Sequence, residues 1–113
     1  MARRSAVPRP VRTTEYTIVF ATRSAESGWR DLVATQRNAV ATAWDRLSAD
    51  PLTEDLACHA LRGELGTVAH AGRSWTRRQI ELKRGARIWF VVDETERVVH
   101  LLDVHTHHPN ATK

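Results

Sequence analysis

Trp75–Pro109, WTRRQIELKRGARIWFVVDETERVVHLLDVHTHHP, decides the fold. Residues 75–82 alternate large and polar side chains, residues 87–92 are β-branched and aromatic, and residues 98–104 repeat that pattern. Lys83-Arg84-Gly85-Ala86 and Asp93–Arg97 are polar turns, and Gly85 can take a positive φ. Connections this short return the chain antiparallel, because a parallel crossover needs a dozen residues or more. The stretch therefore predicts a three-stranded meander.

A side-chain period of two sorts these strands into faces. Ile80, Leu82, Ile88, Phe90, Val92, Leu102 and Val104 are expected on the core side. Arg77, Gln79, Glu81, Arg87, Asp103, His105 and His107 are expected on the other, a basic, imidazole-lined face covered at most in part.

Upstream, Tyr16–Ala21 reads as a strand. Ser24 offers an N-cap before the stripe Trp29, Leu32, Val33, Gln36. A second helix spans about residues 37–49, with Val40, Trp44 and Leu47 on one face and a break near Gln36–Asn38; Asp50-Pro51 ends it. Both tryptophans are expected to pack on the sheet. Residues 52–62 read as a connector and Leu65–His70 as a further strand turning at Ala71-Gly72. The order β, α, α, then three or four antiparallel strands predicts an α+β domain over residues 13–113. Two N-terminal helices should cover one face of a mainly antiparallel four- to five-stranded sheet. Residues 1–12, with four arginines and two prolines, read as a basic flexible tail.

The 113 residues suffice for one modest core. There is no apolar run of about 18 residues for a membrane span and no apolar signal-peptide core. Cys58 is the only cysteine, so an intrachain disulfide or a Cys-based zinc site is excluded, and a reducing cytoplasm is expected. The net charge of +4 is segregated: residues 1–12 carry +4, residues 73–87 carry +5, and the remainder carries −5. Such separation suits a polyanion, most commonly nucleic acid.

Several segments together resemble the RelE/ParE superfamily of toxins from type II toxin–antitoxin systems, from Tyr16 to the C-terminus. These are the element order, Leu61-Arg62-Gly63 after the helices, and Trp75-Thr76-Arg77-Arg78, which is similar to a segment of the YoeB branch. Gly85-Ala86-Arg87-Ile88-Trp89-Phe90 looks like the family's Gly-x-Arg-aliphatic-x-aromatic strand. The ending His107-His108-Pro109-Asn110-Ala111-Thr112-Lys113 is similar to a tail of actinobacterial members. The resemblance implies a RelE-like fold, a cognate antitoxin, and no cofactor or metal. In the RelE and YoeB branches it implies a ribosome-dependent endoribonuclease, in which the 2′-hydroxyl of mRNA attacks the adjacent phosphate. That reaction needs a base, an acid, and cations at the phosphorane. Imidazole and guanidinium suit these roles.

By position, the resemblance assigns Arg87 to charge stabilisation and His107 to the general acid, with His105 or His108 in its place. Glu81 is a candidate base or a partner of Arg77 or Arg87. Arg62, Arg73, Arg77, Arg78, Gln79, Lys83 and Arg84 are candidate RNA contacts. Two features depart from the family: Gln79 and Glu81 stand where RelE carries lysines, and Tyr16 is the only tyrosine, so the C-terminal tyrosine of these nucleases is missing. A ParE-like toxin that binds gyrase without cleaving RNA, a metal site at His105–His108 with His100 nearby, and an inert homologue remain alternatives.

Overall fold

The computed structural model describes residues 4–107. Its main element is a five-stranded mixed sheet in the order β1-β7-β6-β5-β2. These strands are β1 (Thr17–Phe20), β2 (Cys58–Ala60), β5 (Arg78–Glu81), β6 (Arg87–Asp93) and β7 (Val98–His105). β1 runs parallel to β7 and the other neighbours are antiparallel. Helices α1 (Arg23–Thr35) and α2 (Arg37–Ala49) lie on one face. β3 (Thr67–His70) and β4 (Arg73–Thr76) form a separate two-stranded hairpin. The α+β architecture expected from the sequence is the one observed, and no described helix is long and apolar enough to cross a membrane.

Ala25, Ala43 and Leu47 from the helices pack with Ile80, Ile88, Phe90, Val99 and Leu101 from the sheet. Leu32 and Val40 bury Ala86 beside them. Gln36 breaks the helix pair at φ −148°, and its side chain then grips the β5–β6 turn through both the Lys83 N–H and the Lys83 carbonyl. In that turn Arg84 and Gly85 both take positive φ, 59° and 76°.

Several expectations need correction. The first helix is capped by Thr22, not Ser24: the Thr22 hydroxyl accepts from Ala25 N–H and donates to the Leu102 carbonyl, tying the helix start to β7. The strand expected over residues 75–82 is broken at Arg77, whose N–H bonds the Gly66 carbonyl while its carbonyl takes the Leu61 N–H. The chain thus passes from one sheet to the other at Arg77. The connector over residues 52–62 contains β2, too short for a periodicity; the Asp55 carboxylate accepts from Ala57 and Cys58 N–H at its start. Residues 63–66 form a 3-10 turn, so the next strand begins at Thr67. Trp44 is only half-buried, beneath the Arg9 guanidinium at 5.4 Å, rather than set in the core.

A bulge corrects the faces of β7. Trp89 pairs with Asp103 but Phe90 pairs with Leu101, leaving Leu102 as the extra residue. Leu101 therefore joins Val104 on the helix side. Leu102 turns to the opposite side, where it packs with Val91 and Trp75 of the hairpin.

Candidate functional site

The hairpin covers only part of the sheet face opposite the helices. What remains is built from two cross-strand rows. Glu81, Arg87 and His105 lie abreast on β5, β6 and β7, and His59, Gln79, Trp89 and Asp103 form the next row on β2, β5, β6 and β7. Arg77 closes the site at the hairpin junction with its guanidinium 5.1 Å from the Trp89 ring centre. His105 meets the same indole edge-on, at 4.5 Å between ring centres.

Charge and burial set the chemistry of this face. Arg87 is 3.4 Å from Glu81, and its side chain is only 16% exposed. The Nε atoms of Arg77 and Arg87 and Nε2 of His105 are buried with no hydrogen-bond partner among the described residues. Burial pushes the His105 imidazole below its ordinary value of 6.5, opposed by Asp103 and reinforced by His107, Arg77 and Arg87. The ring is therefore held neutral at physiological pH. A neutral imidazole can accept a proton, and two guanidiniums beside it can neutralise a phosphate.

The other expected residues divide. His107 is exposed, two residues beyond the end of β7, with Thr106 Oγ1 3.3 Å from its Nδ1. His108 lies outside the described residues. Gln79 is 1% exposed, which corrects its reading as an RNA contact; it is inaccessible to a ligand. Arg78 points to the helix side and pairs with Glu54 at 3.0 Å, away from Arg77 and Arg87, because adjacent strand residues face opposite ways. Lys83 and Arg84 join Arg37 around a depression of about 710 Å³ at the helix corner, reached also by Thr106. Arg73 stacks on Trp75, 3.6 Å from its ring centre, and Arg62 is exposed after β2. The basic stretch over residues 73–87 is thus split among the open face, the helix side, the corner and the hairpin. His100 sits against His70 of the hairpin, 5.0 Å between ring centres, apart from the expected C-terminal group. Among the described residues no three His, Cys, Asp or Glu side chains are placed to hold a metal ion.

Trp89 was not singled out from the sequence, although alternation already set it between Arg87 and Val91 on this face. A buried tryptophan in a row of polar residues is the signal that marks it.

No family model and no curated protein matches the chain. Among solved structures, it is similar to a chain of the toxin–antitoxin complex RelBE2 from Mycobacterium tuberculosis. The likeness has 25% identity and a TM-score of 0.49, over 80% of this chain and 96% of that one.

Proposed function

We propose that this chain is the toxin of a type II toxin–antitoxin pair, acting in the cytoplasm as an endoribonuclease on mRNA held in the ribosome. Its partner would be a cognate antitoxin. The observation that carries the reading is the row Glu81, Arg87, His105, with Arg77 beside it. It joins the sequence resemblance to a site of the right chemistry. Neutral His105 takes the proton of the 2′-hydroxyl. Arg77 and Arg87, whose buried Nε groups lack partners among the described residues, donate to the phosphorane oxygens. Glu81 orients Arg87 rather than acting as base, since the two already pair. His107, exposed two residues past the end of β7, protonates the leaving 5′-oxygen, and the products are a 2′,3′-cyclic phosphate and a 5′-hydroxyl.

A second reading, the gyrase-binding toxin, is favoured by one observation. Tyr16 is buried in the helix-side core with Arg97 over its ring, so no phenol among the described residues reaches the open face. Induced expression followed by mapping of mRNA ends separates the two. Codon-phased cuts that disappear in Arg87→Ala support the nuclease, with a rate loss of about 10²–10³-fold. Gyrase-dependent DNA breaks without such cuts support the other.

A further inference from the structure

A buried amide connects the core of this face to its charged row. Gln79 is 1% exposed and sits between Trp89 and Glu81. The Trp89 indole N–H donates to Gln79 Oε1 at 3.0 Å, and Gln79 Nε2 donates to Glu81 Oε1 at 3.4 Å. The same Glu81 oxygen lies 3.4 Å from Arg87. Only one orientation of the amide satisfies this chain. An indole nitrogen has a proton and no lone pair to offer, so the amide oxygen must face it, and the NH₂ group must then face the carboxylate.

We infer that Gln79 is a positioning residue: it fixes the Glu81 carboxylate, turned toward Arg87, by a hydrogen-bond relay anchored in the Trp89 indole. The relay runs one way. Trp89 has the Arg77 guanidinium 5.1 Å and the His105 ring 4.5 Å from its ring centre. The amide dipole carries its placement across the sheet, and one carboxylate oxygen meets both the Gln79 NH₂ donor and the Arg87 guanidinium. Arg87 is then aimed by a group that never touches the substrate. The relay also accounts for a fully buried glutamine on a strand that carries Arg78 and Glu81, since a buried amide is costly unless both ends are satisfied. For its effect on cleavage, the inference rests on the function proposed above.

The test has two arms. In the first, the Trp89 indole N–H resonance is followed by NMR at neutral pH as one of the four tryptophan signals. Glu81→Gln should shift that signal in the wild-type background and leave it in place in Gln79→Leu. A shift of equal size in both backgrounds, or in neither, overturns the relay. Should Gln79→Leu not fold, Gln79→Met replaces it, and Glu81→Gln alone still has to move the signal. In the second arm, cleavage is measured on translating ribosomes. Gln79→Leu should lower kcat about 10-fold with KM little changed, and adding Glu81→Gln should cost nothing more, as expected of groups acting in series. Multiplying losses overturn the positioning role. Absence of cleavage by the wild type refutes the nuclease reading instead, and the NMR arm then decides the relay alone.

Discussion

Gly28 shows how tightly α1 is seated on the sheet. A Cβ added there would stand 2.4 Å from the Val104 carbonyl oxygen and 2.9 Å from its Cβ, so helix and strand would have to part. Gly28→Ala should destabilise the fold by about 1–3 kcal/mol, read as a lower urea midpoint, even though alanine is the better helix former. A titration belongs to the same scale. Burial lowers the pKa of His105, and burial together with His70 lowers that of His100, so both are depressed in the folded state. The unfolded chain then binds more protons as pH falls below about 6.5. Stability contributed by the neutral rings is complete above that value and is lost as pH falls through the depressed folded values. Thermal unfolding across this window should show the loss, and His100→Phe should flatten the slope. Cleavage should show an acid limb with its midpoint below 6.5, because protonated His105 cannot act as base. A midpoint above that value would contradict the assignment.

At the scale of elements, the turn at Ala71-Gly72 is legible, but the separation of the β3–β4 hairpin from the main sheet is not. The run Trp75–Leu82 alternates as one strand would, and alternation cannot reveal that Arg77 hands its backbone bonds to Gly66 and Leu61 instead of a neighbouring strand. Leu102 was misassigned for a related reason: a bulge inverts the period locally, and only pairing with β6 exposes it. By contrast the places of β6, β7 and both helices along the chain are legible, since each is a run bounded by turn or break residues. The convergence of Arg87, Glu81 and His105 was legible on the same basis, whereas the burial of Gln79 depends on its neighbours across the sheet. The hairpin rests on the main sheet through Trp75 against Val91 and Leu102, and the indole N–H, bonded to the His70 carbonyl at 2.7 Å, fixes the ring within the hairpin. Trp75→Ala should cost about 3–5 kcal/mol of stability. Hydrogen exchange should locate the loss first in residues 67–76, with β6 and β7 protected longer. Uniform loss of protection would show that the hairpin is not a separable unit.

For the whole molecule, the distribution of charge decides how an RNA partner would be held. The positive stretch over residues 73–87 looks continuous in the sequence, but folding sends Arg77 and Arg87 to the open face, Arg78 to Glu54 on the helix side, and Lys83 and Arg84 to the corner beside Arg37. Net charge alone cannot distinguish these surfaces; strand parity and the turn at Gly85 do. If RNA crosses the open face, each phosphate neutralised there releases counterions, and log affinity falls with log salt by about 0.7 per contact on a single strand. Arg77→Gln should therefore reduce the salt slope of ribosome or RNA binding by roughly that amount. Arg78→Gln should leave the slope nearly unchanged, although it removes a residue of identical charge one position away. The comparison controls for total charge, because both variants lose one cation. Equal slopes for the two variants would mean that binding responds to overall charge and that the open face does not hold the RNA.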